Sequence, residues 1–391
     1  MMDDEDSVVS IEDVIKSIDE EKAIVMGGIK NHDSCSFISG YMKRQALYTC
    51  KTCLDISTTK AGFCYPCLVN CHEGHDTVEL YTKRRFRCDC GNAKFGQFQC
   101  TLWEEKDDEN IENQYNDNFS NCYCICKRPY PDEDYEGNEE MIQCGLCEDW
   151  YHIEHLNLPN NVKAPEDYEE MTCFLCLQKY SFLYFYALEH EEEAPCELSE
   201  SIRRMLTSNP LLQNRQLETE HEAKRCKLAS LSEDIGEKSE ECHLSATIHR
   251  FGTKQSCDIT VKDLDLSNAS EPPSIFWSAS WRERLCKCSK CQTMYAHYKL
   301  EYLMDPQDTM SYYLRTGEKR AIEIDKEENE ALSEALSELP HSVAINVAEG
   351  LGQLKKALEE FLSQKRESGH IITEAEVRSF FEKLREQQRH L

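Results

Sequence analysis

The sequence predicts a chain of small zinc-stabilised domains followed by a mostly α-helical C-terminal region. The first observation is the position of the cysteines. Sixteen of the 23 fall between Cys35 and Cys176, and twelve of these form six tight pairs interleaved with two His-x-x-His motifs. Two thiolates separated by one or two residues can bind the same tetrahedral zinc ion, with Zn–S distances of about 2.3 Å. The second observation is leucine at helical spacing beyond residue 326. These leucines form two stripes: Leu332, Leu336 and Leu339, then Leu354, Leu358 and Leu362.

The cellular context predicted from the sequence favours zinc over disulfides. Residues 1–32 are acidic and contain neither the basic nor the apolar region of a signal peptide. No run of the sequence approaches the roughly 18 apolar residues of a membrane span, so no membrane partner is expected. We therefore expect the protein in the nucleus, the cytoplasm or both, where thiols stay reduced and Cys-x-x-Cys pairs are metal ligands.

The overall charge narrows the class of partner. The chain has 73 Asp and Glu against 44 Lys and Arg, a formal net charge of −29. This balance argues against direct binding to nucleic acid, because backbone phosphates are bound by clustered positive charge. It permits long-range attraction of basic partners such as histone tails. The alternative is that acidic linkers only keep the chain soluble, and the sequence leaves both readings open.

Shifts in composition divide the sequence into five parts. The two cysteine clusters predict two separate zinc domains. The segment that follows them is rich in Glu, Ser and Lys with weak periodicity, which predicts an acidic and largely disordered linker. In order, the parts are the acidic N-terminal segment 1–32, the first zinc domain 33–105, the second zinc finger 119–180, the linker 189–270 and the C-terminal region 271–391.

The first cluster contains more ligands than one metal ion needs. Cys50-x-x-Cys53 combined with His72-x-x-His75 could close one tetrahedral site. Two further ions that share a bridging thiolate would use the remaining sulfurs economically. About 70 residues with few apolar side chains cannot build an ordinary core, so metal must supply much of the stability.

The order and spacing of this cluster, with its Cys-Asp-Cys-Gly motif at residues 88–91, resemble the UBR box. That zinc domain belongs to the N-recognins, which read destabilising N-terminal residues of proteins. The resemblance implies three ions, with Cys67 bridging two of them. Where the family has its last histidine ligand this chain has Trp103, and Cys71 either fills the vacancy or is a small buried thiol. The implied ligand sets are Cys50, Cys53, His72 and His75; Cys35, Cys64, Cys67 and Cys88; and Cys67, Cys90 and Cys100.

The same resemblance implies a peptide-binding site. Asp89 matches the carboxylate that binds the α-amino group of the peptide. Asn92 occupies the position of a second acid, and a neutral amide attracts Arg or Lys much less than a carboxylate does. The basic run from Lys83 to Arg87 also disfavours a basic ligand, unless it is merely a solvated strand edge. We therefore expect weak binding of basic N-termini.

The second cluster has four half-sites in the order of a cross-brace, in which the first pairs with the third and the second with the fourth. RING and PHD fingers share this topology. The aromatic pair directly before His152 resembles a PHD-type finger, with His155 in the position of the usual cysteine. We exclude Cys122 because PHD fingers often place an aromatic residue before the first ligand, as Tyr123 is placed before Cys124. The two ligand sets are Cys124, Cys126, His152 and His155, and Cys144, Cys147, Cys173 and Cys176, which brings the total to about five Zn²⁺ ions.

The resemblance to PHD fingers that read methyl-lysine implies an aromatic cage. Its members would be Tyr123, Met141 and Trp150. Aromatic faces attract a quaternary ammonium through cation–π interaction. The alternative is that Trp150 and Tyr151 only pack the small core. The acidic residues that could hold a basic tail beside the cage are Asp132, Glu133, Asp134, Glu139 and Glu140.

A UBR box, a PHD-type finger and a helical C-terminal region together resemble the small PHD-containing branch of the UBR-box protein family. This resemblance implies a ubiquitin-protein ligase that recognises a protein substrate or degron through the UBR box. The finger would dock a ubiquitin-conjugating enzyme or a histone tail. No catalytic residue is predicted, since Cys286, Cys288 and Cys291 form a structural metal knuckle or stay free, and ligases of the RING type act by positioning. The alternative is a non-enzymatic chromatin reader of methylated histone tails.

Overall fold

A computed structural model gives the fold. It divides the chain into two compact units, one formed by residues 31–312 and the other by residues 1–30 with 313–391. Among the described helices, none combines the length and the apolar character that a membrane span requires. The residues that the structure describes are 21–28, 33–132, 134–135, 140–159, 162–190, 193–208, 242–251, 272–368 and 379–381.

The UBR-box region forms a three-stranded antiparallel sheet with the order β2-β1-β3. A short helix, α1, follows β2 and has proline in its first turn, where no backbone donor is required. The contiguous apolar cluster beside the sheet is small: Leu47, Leu80, Phe86 and Phe119. The elements are β1 (Met42–Cys50), β2 (Phe63–Cys64), α1 (Tyr65–Cys71) and β3 (Thr77–Phe86).

The finger region contains a short antiparallel pair, β4 with β5, and a third strand, β6, that pairs with a strand from beyond residue 270. Two short helices follow, and the second of them is buried throughout. The aromatic run 180–188 is therefore part of the core, as its composition suggests. The elements are β4 (Met141–Gln143), β5 (Trp150–His152), β6 (Glu170–Thr172), α2 (Phe174–Lys179), α3 (Leu183–Ala187) and β7 (Ile275–Trp277).

Residues 272–312 pack on the finger and extend its core. Trp277 and Trp281 are stacked, with ring centroids 4.3 Å apart. Each indole N–H has a buried acceptor: Trp277 Nε1 donates to Thr172 Oγ1 at 2.8 Å, and Trp281 Nε1 donates to Glu170 Oε2 at 2.7 Å. β7 and the two tryptophans thus complete the finger with residues that lie far along the sequence.

The described residues of the segment 189–270, for which the sequence predicts a largely disordered linker, include two helices. The first, α4 (Cys196–Ser208), places Ile202 and Leu206 in the finger core, and the second, α5 (His243–Phe251), places Leu244 and Ile248 there. Their apolar residues recur at helical spacing, so each helix buries one face. Residues 209–241 and 252–271 lie outside the described residues.

A buried network of charges joins the UBR-box sheet, the finger and residues 272–312. Arg282 Nε donates to Glu170 Oε2 at 2.8 Å, and the backbone N–H of Arg84 donates to Glu148 Oε1 at 3.1 Å. Lys83 Nζ donates to the Glu148 carbonyl oxygen at 2.6 Å. The alternative that the basic run is only a solvated strand edge is therefore wrong for its first two residues. The ionised side chains of the network are Arg44, Arg84, Arg282, Glu148, Glu170 and Asp308.

Long helices form the described part of the other unit. Residues 21–27 are helical and pack on helix α7 (Met310–Glu338). At this contact the Tyr313 hydroxyl donates to the Ile24 carbonyl oxygen at 2.6 Å. A Cβ at Gly317 would lie 1.9 Å from the Ala23 carbonyl oxygen, so this contact requires glycine. The first leucine stripe is helical as predicted, but Leu332 is 44% exposed. The remaining helices are α6 (Ser289–Tyr298), in the unit of residues 31–312, α7 (Met310–Glu338) and α8 (His341–Ser368).

Candidate metal centres and peptide sites

The Cys₂His₂ group of the UBR box is assembled around the end of β1 and the turn before β3. Cys53 Sγ lies 3.3 Å from His75 Nδ1 and 3.6 Å from His72 Nδ1, and Cys50 Sγ lies 3.6 Å from His75 Nδ1. Burial lowers the pKa of His72 to about 4, so its imidazole is neutral, as a metal ligand must be. The structure thus brings together Cys50, Cys53, His72 and His75.

Two further groups of the UBR box share one thiol, that of Cys67. Its Sγ lies 3.5 Å from Cys35 Sγ, 3.8 Å from Cys88 Sγ and 3.7 Å from Cys100 Sγ. A regular tetrahedron with Zn–S bonds of 2.3 Å has sulfur atoms about 3.8 Å apart, whereas a disulfide holds them at about 2.05 Å. The geometry therefore suits two ions bridged by Cys67. The groups are Cys35, Cys64, Cys67 and Cys88, and Cys67, Cys71, Cys90 and Cys100.

The Cys71 thiol lies in the group for which the sequence leaves the fourth ligand open. Cys71 Sγ lies 3.9 Å from Cys100 Sγ. Cys67 and Cys71 are one helical turn apart on α1, so both thiols lie on the same face. That spacing was the available signal in the sequence. Trp103 is 40% exposed and belongs to none of the named groups.

The glycine of the Cys-Asp-Cys-Gly motif has a steric role. Gly91 has φ +78°, in the left-handed region that favours glycine. A Cβ at this position would lie 2.5 Å from the backbone nitrogen of Cys100. The close approach of these two segments places Cys90 and Cys100 in one thiol group.

The finger has the cross-brace pairing that the sequence predicts. Cys124 Sγ lies 3.4 Å from His155 Nδ1, and Cys126 Sγ lies 3.5 Å from His152 Nδ1. Cys122 belongs to neither group. Its thiol donates to the Ser120 carbonyl oxygen at 3.5 Å instead. The two groups are Cys124, Cys126, His152 and His155, and Cys144, Cys147, Cys173 and Cys176.

Asp89, the expected ligand for a peptide α-amino group, is fully buried and satisfied by the chain itself. Burial raises the pKa of its carboxyl above the usual value, although donated hydrogen bonds oppose this. Three of the donors lie between the two zinc domains, in the stretch 110–115. A peptide amine would have to displace these partners. The donors to Asp89 are Gly62 N at 3.0 Å, Asn92 Nδ2 at 3.0 Å, Asn110 Nδ2 at 2.7 Å, Asn113 Nδ2 at 3.0 Å and Tyr115 OH at 2.9 Å.

The side chain of Asn92 is likewise buried and hydrogen-bonded to other residues of the chain. It is 3% exposed, donates to Asp89 and accepts from the backbone N–H of Lys94 at 3.1 Å. Lys94 Nζ lies 3.4 Å from the ring centroid of Tyr115. A cation of the chain itself therefore occupies the vicinity where the resemblance places the first residue of a basic peptide.

The three predicted cage residues are not assembled around one cavity. Met141 and Trp150 line a cavity of about 190 Å³, but Tyr123 is 5% exposed and is not among its lining residues. Tyr81 and Tyr168 line the cavity instead. The Tyr81 ring meets Trp150 edge-on, with centroids 5.2 Å apart. The sequence could not indicate Tyr81, because it lies on β3 of the UBR box rather than in the finger.

Carboxylates surround this cavity. Glu148, Glu169 and Glu170 are lining residues, and the first and third also belong to the buried charge network. Of the acidic residues predicted to hold a basic tail, Asp134 and Glu140 are exposed and Asp132 is half-buried. Glu133 and Glu139 lie outside the described residues. The cavity thus combines aromatic side chains with carboxylates, and Arg44, which pairs with Glu148 in the charge network, also lines it.

Three family models match this chain. The zinc finger in N-recognin (UBR box) matches residues 34–103, the UBR7-like PHD finger matches residues 118–187, and the UBR7 C-terminal region matches residues 332–390. These matches confirm the predicted UBR box and the choice of a PHD-type finger. Together with the clustered thiols and imidazoles, they identify zinc-binding domains.

Curated relatives match nearly the whole chain. "Putative E3 ubiquitin-protein ligase UBR7" of Homo sapiens is 33% identical over 410 residues, covering 98% of this chain and 94% of the relative. The protein of the same name in Dictyostelium discoideum is 25% identical, covering 96% and 84%. "Protein mlo2" of Schizosaccharomyces pombe is 40% identical over 182 residues, covering 44% and 54%. No solved structure matches the chain significantly.

Proposed function

Since this chain belongs to the UBR7 family of UBR-box proteins, we propose that it is a ubiquitin-protein ligase that acts by positioning a charged ubiquitin-conjugating enzyme beside a substrate. The observation that carries this proposal is the similarity to relatives named as ligases, which extends over 98% of the chain and includes both zinc modules. A ligase of this kind needs no nucleophile of its own, because holding the reactants in position supplies the rate enhancement.

The buried charge network supports a positioning role. It holds the UBR box and the finger in one unit, through Arg84 of β3 and Glu148 of the finger. Both side chains are largely buried, at 7% and 13% exposure, so screening by salt is weak. A substrate bound at one module and an enzyme bound at the other would therefore keep a fixed separation.

The conjugating enzyme would dock on the exposed apolar residues of the finger's ligand loops. Ile125, between Cys124 and Cys126, is 46% exposed, and Leu175, between Cys173 and Cys176, is 45% exposed. Ile125 projects from the loop between two metal-type ligands, and Leu175 projects from the first turn of α2, between Cys173 and Cys176. Exposed apolar residues on a rigid loop are suitable anchors for a protein partner.

A reconstituted ubiquitination assay tests the ligase proposal. Full-length protein is incubated with activating enzyme, ATP, ubiquitin and a panel of conjugating enzymes, and discharge of the charged enzyme is followed. We expect accelerated discharge with at least one enzyme, and at least a tenfold loss in Ile125→Ala or Leu175→Ala with zinc content unchanged. Ile111→Ala, at an 87% exposed position outside the finger, is the matched control. Absence of acceleration with every enzyme would overturn the proposal.

A second function, binding of a methylated basic tail, is favoured by the cavity that Met141 and Trp150 line. Tyr81 and Tyr168 add aromatic rings, and Glu169 adds a carboxylate that is not part of the buried charge network. Desolvated cation–π contact contributes about 2 kcal/mol, so Trp150→Ala should weaken binding of a trimethyl-lysine histone peptide by tenfold or more. Tyr123→Phe, which changes a residue outside the cavity, should have no effect. Equal affinity for methylated and unmodified peptides would reject this function and leave the cavity as packing.

A further inference from the structure

A sixth group of metal-type ligands lies outside the UBR box and the finger's cross-brace. Three of its members are the cysteines that the sequence leaves open as a knuckle or free thiols, Cys286, Cys288 and Cys291. The structure adds Cys242, which lies 44 residues before Cys286. Cys242 directly precedes α5, and Cys288 caps the N-terminus of α6.

The distances between these thiols are those of a four-sulfur metal site. Cys242 Sγ lies 3.6 Å from Cys291 Sγ and 3.9 Å from Cys286 Sγ. The Cys288 thiol interacts with the other three. A tetrahedral zinc site separates its sulfurs by about 3.8 Å, and the bridged group of the UBR box has separations from 3.5 to 3.8 Å. A disulfide would need about 2.05 Å, and all four cysteines are free.

The thiols of this group are largely buried, and hydrogen bonds hold the segments that carry them, so they are not mobile surface cysteines that lie close together by accident. Cys286, Cys288 and Cys291 are 6%, 8% and 4% exposed, and all three belong to the finger core. Their segment is held by the hydrogen bond from Cys286 N to Tyr186 OH at 2.9 Å, which anchors it to α3. Cys242 is brought alongside by α5, where Thr247 Oγ1 donates to Glu189 Oε1 at 2.7 Å.

We propose that Cys242, Cys286, Cys288 and Cys291 bind a sixth zinc ion, which fastens α5 and α6 to the finger. Four thiolates in a tetrahedron select zinc among redox-inert ions. A closed set of four protein ligands leaves no open position for water or substrate, so the site is structural rather than catalytic. Because the site is not formed in the unfolded chain, the free energy of binding the ion stabilises the folded state. This inference is independent of ligase activity.

Native mass spectrometry and elemental analysis of the full-length protein test the proposal. We expect six zinc ions in the wild-type protein and five in Cys242→Ser, with the other sites intact. Cys122→Ser is the matched control, because Cys122 lies outside the thiol groups and should retain all six. Five ions in the wild-type protein, or no loss in Cys242→Ser, would overturn the proposal.

Two additional outcomes keep the test decisive. If Cys242→Ser does not fold, the wild-type count alone decides, since six ions support the site and five contradict it. Iron or copper in place of the sixth zinc, or a mass lower by the two hydrogen atoms lost in disulfide formation, would also contradict it. Cys291→Ser should lose the same single ion as Cys242→Ser, whereas loss of two ions from either variant would show that the group is not one closed site.

Discussion

The UBR box and the finger both contain groups of thiols and imidazoles, but they differ in the apolar structure beside them. A small apolar cluster beside the UBR-box sheet contains Leu47, Leu80, Phe86 and Phe119. The finger merges with a much larger core that includes the aromatic run 180–188, α4, α5 and the stacked Trp277 and Trp281. The comparison indicates that metal binding is the main stabilising contribution to the fold of the UBR box. In the finger, metal binding and hydrophobic burial both stabilise the fold.

The largest effect that this comparison predicts follows substitution of Cys67. Cys67→Ser removes a ligand from two groups at once, so we expect loss of two zinc ions and unfolding of β1 and β3. Circular dichroism, zinc analysis and hydrogen exchange measure these changes. Cys71→Ser is the matched variant, and it should lose one ion and retain the sheet. Full zinc content in Cys67→Ser would contradict the bridge.

A smaller effect is expected from the buried charge network, which links the two modules. Arg282→Met leaves Glu170 buried without its main partner, and breaking such a pair costs about 3–5 kcal/mol. We expect a lower denaturation midpoint for the unit of residues 31–312. Arg85→Met removes an exposed pair with Glu112 in the same unit and should change the free energy of unfolding by at most about 1 kcal/mol. Equal effects of the two substitutions would reject a structural role for the network.

The smallest effect concerns peptides offered to the UBR box. Asp89 already accepts five hydrogen bonds from the chain, so an N-terminal amine gains little there. In calorimetry we expect peptides starting with Arg and peptides starting with Gly to bind equally weakly. Micromolar affinity for the Arg peptide that disappears in Asp89→Ala would show that the stretch 110–115 opens to admit a ligand.

Much of the metal architecture was predictable because zinc ligands come in local pairs. The spacing of Cys50, Cys53, His72 and His75 indicates one site without any knowledge of the fold. Cys242 could not be identified in the same way, since it has no cysteine neighbour and reaches its group only through the packing of α5. Cys71 lies between these two cases in predictability. Its spacing from Cys67 indicates a shared site only once α1 is known to be a helix.

Contacts between the modules could not be predicted from the sequence. Arg44, Glu148 and Asp308 are far apart along the chain, and their charges alone suggest solvated surface residues. The polar stretch after Cys100 gave no sign that Asn110, Asn113 and Tyr115 would bind Asp89. The helices α4 and α5 were missed because the charged composition of their segment outweighed the apolar periodicity of two short stretches.

Hydrogen exchange during metal removal tests the comparison most directly. The full-length protein is titrated with a zinc chelator, and amide exchange is followed in both modules. We predict that residues 42–50 and 77–86 lose all protection with their metal, while residues 182–187 remain protected by the surrounding core. Retained protection in the UBR-box strands after complete removal of zinc would contradict the account. So would simultaneous loss of protection in both regions.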